Sequence, residues 1–371
     1  MAGVYIHIPF CAQACHYCNF HFSTNLSRME EMIRCIILEI KRRGTGQEIE
    51  TIYFGGGTPS AIPTEFINLI LQQVRESYGT DHVTEVTLEA NPEDMSAANL
   101  AQWKEMGVQR LSVGVQSFFD HELQVMNRIH HGAQAREAIE RAYEEGFESL
   151  NLDLIYGMPW SSTDRFLENL NTAESLGVDH LSCYALTVEE KTALAYQIKK
   201  GQVAPVDDQQ AFQDFTELQN WSKQFNFEHY EISNLARPDR RARHNSQYWQ
   251  GKSYFGFGPG AHSYEGNKRS WNRANNSLYI KDIQNDQDPS ESEILSTADQ
   301  YNEWVMTGLR LIDGVNKAGL EKWPDSVREA TNSVWKNKIE AGILYEENNR
   351  IILKEDQRFF ADGHASDLFF V

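Results

Sequence analysis

Six short apolar runs, most of them followed by a stretch of helical periodicity, organise the first half of this chain. The runs Val4–His7, Ile49–Phe54, Glu85–Leu88, Arg110–Val115, Ser149–Leu154 and His180–Ala185 predict β-strands. Between them, Ser27–Arg43, Pro63–Ser77, Ser96–Met106, His131–Glu145 and Thr163–Leu176 carry helix-period patterns. In the first helix Met29, Met32, Ile33, Ile36 and Ile40 make the apolar stripe, which leaves Cys35 off it. Ser27 with Glu30 predicts a capping box at its start, and Lys41-Arg42-Arg43 before Gly44 predicts a basic last turn with a left-handed cap. Gly107, Gly146 and Gly177 each follow a helical run and precede a strand. Such repeated alternation predicts a parallel sheet with crossover helices.

Periodicity alone fits an open doubly wound sheet or a barrel. The strand ends favour a barrel. Cys11, Cys15 and Cys18 follow the first strand, Gly55-Gly56-Gly57-Thr58-Pro59 the second, and Glu89-Ala90-Asn91-Pro92 surrounds the end of the third. Gln116-Ser117 follows the fourth, Asp153 closes the fifth, and Tyr184-Ala185 close the sixth. Loops at the carboxyl ends of barrel strands converge on one face. The expected fold is α/β: a partial (β/α)6 TIM-like barrel over residues 1–190.

Beyond that point the alternation weakens. Gln209–Phe225 predicts a helix and Glu228–Ser233 a strand, followed by a polar, aromatic, Gly-rich stretch from Arg237 to Trp271. Residues 191–284 are read as a region that completes the barrel. Asn285–Glu291 has linker composition. Helices over Thr297–Leu311 and Val327–Ala341, with a hairpin from Ile343–Tyr345 and Arg350–Leu353, predict a winged-helix-like region over 285–371.

Composition narrows the class. The chain has 371 residues, 41% of them hydrophobic and 23% charged, with a mean hydropathy of −0.54, which fits a globular protein. No apolar run approaches the roughly 18 residues of a spanning helix, and no basic segment precedes an apolar one at the start. A cytoplasmic location is expected. The net charge of −19 argues against nucleic acid as a partner, since affinity for phosphate backbones comes largely from Lys and Arg.

Five cysteines are too few and too uneven for a disulfide framework. Three fall within eight residues, as Cys11-x3-Cys15-x2-Cys18. A zinc site with His16 or His21 as a fourth ligand remains open at this point. The other reading is an iron–sulfur cluster, which is held by thiolates. Three cysteines would leave one iron of a [4Fe–4S] cube open to a small molecule. Cys35 and Cys183 read as filler of a helix and a strand.

The segment Tyr5-Ile-His-Ile-Pro-Phe-Cys11-x3-Cys15-x2-Cys18 resembles the signature of the radical S-adenosylmethionine (SAM) superfamily. In that family the open iron chelates SAM, and reduction of the cluster cleaves it to a radical. Gly55-Gly56-Gly57-Thr58-Pro59 resembles the family's element that contacts the cofactor's amino group. The resemblance implies that Cys11, Cys15 and Cys18 hold the cluster. It also implies that Tyr5, Tyr17, Gly56, Gly57, Thr58, Glu89, Gln116, Arg128, Asp153 and Ala185 contact SAM, with Arg128 suited to its carboxylate.

The strings Val-Gly-Val-Gln116-Ser-Phe, Met-Asn-Arg128-Ile-His and Asn-Leu-Asp153-Leu-Ile-Tyr-Gly-Met-Pro resemble one branch of the superfamily, the oxygen-independent coproporphyrinogen III oxidases and their relatives. The oxidases carry a further Cys two residues after the third, where this chain has Phe20, and an extension ahead of the first strand. Those departures point to the heme-chaperone branch, as does His244-Asn245-Ser-Gln-Tyr248-Trp249. That resemblance implies heme as a third cofactor. His244 would be an axial ligand, Tyr248 and Trp249 flat surfaces and Asn245 an orienting group, with His262 and Tyr264 as lesser candidates. The basic run Arg237–Arg243 is expected to meet heme propionates. Expected partners are heme-acceptor proteins such as respiratory membrane enzymes, met at the inner membrane face. The alternatives are an oxidase that decarboxylates coproporphyrinogen III and a radical heme-modifying methyltransferase.

Overall fold

Each of the six expected strands forms, and alternation along them decides which side of the sheet each residue faces. The computed structural model describes residues 1–371. The strands are β1 (Ala2–Ile8), β2 (Ile49–Gly56), β3 (Glu85–Ala90), β4 (Arg110–Gln116), β5 (Ser149–Tyr156) and β6 (His180–Ala185). They pair in parallel in that order. Every second residue, such as Val4, Ile6, Ile52, Phe54, Val86, Leu88, Leu111, Val113, Leu150, Leu152 and Leu181, joins the main hydrophobic core. The helices α1 (Met29–Arg43), α2 (Thr64–Ser77), α3 (Ala97–Glu105), α5 (Gly132–Glu144) and α6 (Thr163–Ser175) cover that outer face, and a short α4 (Asp120–Val125) precedes α5. The intervening residues (Tyr5, His7, Thr51, Tyr53, Glu89, Ser112, Asp153, His180) point to the inner face. A barrel interior of this kind is polar, where most are filled with branched apolar side chains.

The sheet grows past six strands on both sides. Beyond β6 lies the antiparallel pair β7 (Glu228–Glu231) and β8 (Asn234–Ala236). Beyond β1 lies a seventh parallel strand, β9 (Tyr254–Phe257), then β10 (His262–Glu265), β11 (Lys268–Asn272) and β12 (Ser290–Ile294), all antiparallel. One twelve-stranded sheet therefore runs through both expected boundaries, at 190 and at 284. The linker expected over 285–291 is a short turn leading into β12, whose polar Ser290–Glu293 is recruited by the edge of β11. The remaining helices of this region are α7 (Ala193–Lys199), α8 (Asp208–Gln224), α9 (Arg243–Trp249) and α10 (Asn276–Gln284).

The C-terminal region has its own small core, including Tyr301, Val305, Leu309, Trp335, Leu344 and Ile351. It comprises α11 (Thr297–Arg310), β13 (Val315–Asn316), α12 (Lys317–Leu320), α13 (Asp325–Glu340), β14 (Leu344–Glu347), β15 (Arg350–Leu353) and α14 (Ala361–Ser366), with a three-stranded sheet ordered β13-β15-β14. Helix α11 is tied to strands near both ends of the large sheet. Arg269 of β11 pairs with Glu303 at 2.6 Å, and Arg310 with Glu231 of β7 at 2.9 Å.

Local differences have local causes. The capping box is not formed: the Asn25 side chain accepts the Ser27 N–H at 3.0 Å, and α1 starts only at Met29. Gly44 is extended, not left-handed. Its place is set by close packing, since a Cβ there would lie 2.6 Å from Ser77 Cβ. Cys35 is buried in the core because α1 packs against α10 as well as α2. Gly107, Gly146 and Gly177 do adopt positive φ, as their helix-to-strand turns require.

Candidate functional site

The loop after β1 carries Cys11, Cys15 and Cys18, and it is strapped to the turn after α4. Gln13 Nε2 donates to Asn127 O (2.9 Å), Asn127 Nδ2 to Ala14 O (2.7 Å) and His16 N–H to Met126 O (3.1 Å). Asn127 takes a positive φ of 60° to make this turn. The next residue, Arg128, reaches Cys15 Sγ at 3.6 Å and holds Asn91 Oδ1 and Gly114 O with its other terminal nitrogen, while its Nε is buried without a partner. Tyr17 packs against the apolar patch of Leu123, Met126 and Ile155 under this loop.

Thr58 donates to Cys11 Sγ at 3.4 Å. Burial pushes the Cys11 thiol up to about 11, the Thr58 hydroxyl pulls it back, and the other two sulfurs push it further. Cys18 is raised by burial as well. No three His, Cys, Asp or Glu side chains gather around one metal-ion position; the three thiols are a spread set on one loop. A guanidinium lies against one sulfur and a hydroxyl against another, and all three thiols share one loop, so the donor set fits a cluster ligated by cysteine.

The glycine run lies directly beneath. Gly56 has φ 110°, and a Cβ there would strike the His7 ring at 2.6 Å. A Cβ on Gly57 would strike Phe10 O at 2.6 Å. The Gly57 and Thr58 N–H groups donate to Ile8 O (2.8 Å) and Phe10 O (2.7 Å), so the run is also the floor on which the cysteine loop is laid. His7 was not singled out by sequence reading. It holds His21 O at 2.9 Å, and burial pushes its pKa down to about 4.

Inside the barrel Glu89 accepts from Tyr53 OH (2.7 Å) and from the Gly56 N–H (3.2 Å). Burial raises its pKa to about 7 against those two bonds. Asp153, raised to about 6 by burial, accepts from Asn151 at 2.8 Å. Gln116 closes β4 with φ 65°, a strained value for a residue with a side chain. Ala185 ends β6 on the exposed side. Tyr53, Asn151 and His180 complete the polar lining and were also missed. The period-two alternation of polar residues along all six strands was the signal for them.

The second group of expected residues lies at the opposite end. Helix α9 caps the barrel's base, where Glu85 at the start of β3 accepts both the Arg243 and His244 N–H groups, at 2.9 and 2.8 Å. His244 is 1% exposed. Its Nδ1 meets Thr51 Oγ1 and its Nε2 meets Tyr248 OH, each at 2.8 Å, and burial pushes its pKa down to about 3. Asn245 is half-buried on the same helix, and Trp249 lies under the Arg310 guanidinium at 5.1 Å. His262 and Tyr264 sit apart on β10, with His262 exposed. The basic run is not free. Arg241 forks onto Glu228 (2.8 and 2.6 Å), Arg240 faces Asp179 (3.5 Å) and Arg237 Glu174 (3.1 Å). Acidic neighbours from other elements thus pair three of its four arginines, and Arg243 is exposed without an ion pair.

Comparison with known proteins gives this geometry its family. The Radical SAM superfamily signature matches residues 5–173. The heme chaperone HemW of Bacillus subtilis is 34% identical over 360 residues, covering 95% of each chain. The chain belongs to the HemW family of the radical SAM superfamily. HemW of Mycobacterium tuberculosis is 33% identical over 97% of this chain and 93% of its own. The solved coproporphyrinogen III oxidase HemN from Escherichia coli, described as a radical SAM enzyme, superposes with a TM-score of 0.86 over 99% of this chain and 90% of that one. At 20% identity that likeness establishes the fold. Superfamily membership implies a [4Fe–4S] cluster and SAM. No helix is long and apolar enough to cross a membrane.

Proposed function

We propose that this chain is a heme chaperone, binding heme and passing it to acceptor hemoproteins such as respiratory membrane enzymes while carrying a [4Fe–4S] cluster and SAM. The observation that carries the reading is likeness to HemW proteins along 95% of both chains. In this reading Cys11, Cys15 and Cys18 would hold the cluster, which would supply one-electron reducing chemistry beside SAM. Tyr5, Tyr17, Gly56, Gly57, Thr58, Glu89, Gln116, Arg128, Asp153 and Ala185 surround SAM. Buried Glu89 and Asp153 offer acceptors for its ammonium and hydroxyl groups, and Arg128 keeps one N–H for its carboxylate.

His244, with Asn245, Tyr248 and Trp249, is the proposed heme site. Both ring nitrogens of His244 are engaged in this conformation, so ligation of heme iron requires α9 to turn out from the base of the barrel. The protein works in the reducing cytoplasm and meets membrane-bound acceptors as a peripheral partner. The test is an anaerobic hemin titration of cluster-reconstituted protein, with His244→Ala alongside. Saturable one-to-one binding that the substitution weakens supports the chaperone. Absence of specific binding overturns it, and decarboxylation of coproporphyrinogen III is then the assay to run.

A further inference from the structure

Tyr53 stands between the two ends of the barrel and touches both. Its ring stacks on His244, with centroids 4.9 Å apart and planes 25° from parallel, and on Tyr5 at 6.0 Å and 23°. Its hydroxyl donates to Glu89 Oε1 at 2.7 Å. Glu89 Oε2 accepts the Gly56 N–H, and the same glycine run carries Thr58, whose hydroxyl meets Cys11. From His244 to the cysteine loop, the links of the path are ring contacts, hydrogen bonds and the three-residue main chain Gly56–Thr58. There is no slack along it. A Cβ on Gly55 would lie 2.9 Å from Tyr53, 3.0 Å from Glu89 and 3.0 Å from Tyr5, so these three side chains already fill the space above that glycine.

We propose that Tyr53 is a positioning residue that couples the two sites: His244 seated at the base holds Tyr53, Tyr53 holds Glu89, and Glu89 so held binds SAM more tightly. The proposal rests on the reading of the upper site as a SAM site. Its physical basis is the small number of restraints. Glu89 has two hydrogen bonds, and one of them is the Tyr53 hydroxyl. Withdrawing the imidazole uncovers a face of the Tyr53 ring and removes the packing that fixes its tilt. Coupling between sites is reciprocal in free energy. Iron ligation by His244 would therefore loosen SAM, and bound SAM would hold His244 in place. The two-state element that carries the coupling is His244 itself, seated or withdrawn.

The experiment measures the SAM dissociation constant by anaerobic equilibrium dialysis of cluster-reconstituted protein, without heme. The variants are Y53F, H244A, the double substitution, and Y248F, which removes only the hydroxyl that holds His244 Nε2. Melting temperatures are recorded alongside. Loss of one hydrogen bond to a charged or chargeable group corresponds to about tenfold for Y53F, with a several-fold loss for H244A and a smaller one for Y248F. The double variant should bind SAM no more weakly than Y53F, because both changes cut one line. If H244A does not fold, Y248F against Y53F supplies the same cycle. The proposal is overturned if H244A and Y248F lower the melting temperature but leave SAM affinity unchanged, or if the double variant shows the product of the single effects. Wild-type protein that binds no SAM would overturn the reading of the upper site as well; SAM binding that ignores His244 overturns the coupling alone.

Discussion

The two ends of this barrel treat their reactive side chains in opposite ways. At the carboxyl ends of the strands, three cysteines sit on a loop held by hydrogen bonds between Gln13, Ala14 and His16 and the turn around Asn127, none of them made by a cysteine. At the amino ends, His244 is locked by its own ring, its main chain and an aromatic stack. The upper site is presented and the lower one is stored. A site that only has to receive a cofactor can be open. A residue that would bind a cargo and then give it up gains from a closed state that competes with the cargo, because such a state lowers apparent affinity by its population.

The contrast can be broken from either end. Replacing Cys11, Cys15 and Cys18 together with Ala should abolish reconstitution, leaving under about a tenth of wild-type iron and labile sulfide by anaerobic analysis. None of the groups that hydrogen-bond His244 lies on that loop, so hemin binding at His244 should survive. Next in size is Glu85→Ala. It removes a buried carboxylate that accepts two N–H groups at the start of α9, worth about 3 kcal/mol in opening α9. Amide exchange over Arg243–Trp249 should then accelerate about a hundredfold, with faster hemin uptake. Unchanged exchange would show that Glu85 is not the latch.

That asymmetry was only half legible in the sequence. The strand–helix alternation and the cysteine spacing are local patterns, and the barrel and its cysteine loop follow from them. The position of His244 is a long-range fact. Its partners Thr51, Tyr53 and Glu85 lie far away in sequence, and nothing in the string around His244 announces that its ring faces the inside of a sheet. The same holds for the arginines at 237, 240 and 241. A run of positive charge reads as a patch until Glu174, Asp179 and Glu228 are brought against it. Tyr53 was readable in principle. Each strand alternates apolar with polar or aromatic residues, a period that a sheet covered on both faces by apolar layers would not show.

The upper site also has a pH signature. Burial raises Glu89 to about 7, above its ordinary carboxylate value of 4.5. A raised carboxyl adds stability that is complete below the unfolded value and is lost as pH rises through the folded one. The buried histidines His7 and His244 are depressed and tilt the curve the other way, losing stability as pH falls below 6.5. The informative quantity is thus the difference between Glu89→Gln and wild type. Without its cofactors, the variant should gain about 2 kcal/mol relative to wild type between pH 4.5 and pH 7.5, measured by urea unfolding. A constant difference would place the Glu89 titration outside that window.

The smallest expected effect tests strain at the mouth. Gln116 is buried at the end of β4 with φ 65°, where the pairing with β5 slips out of register between Val113 and Gln116. For a residue with a side chain, that backbone costs on the order of 1 kcal/mol. Glycine takes the same φ freely but adds freedom to the unfolded chain, which returns part of the gain. Gln116→Gly should therefore stabilise the cofactor-free protein by about 0.5 kcal/mol in urea unfolding, yet weaken SAM binding through the lost side chain. Stabilisation with weakened SAM would mark the strain as serving the upper site. A destabilised variant with intact SAM binding would instead make Gln116 a packing residue, since its side chain would then be worth more to the fold than its backbone costs.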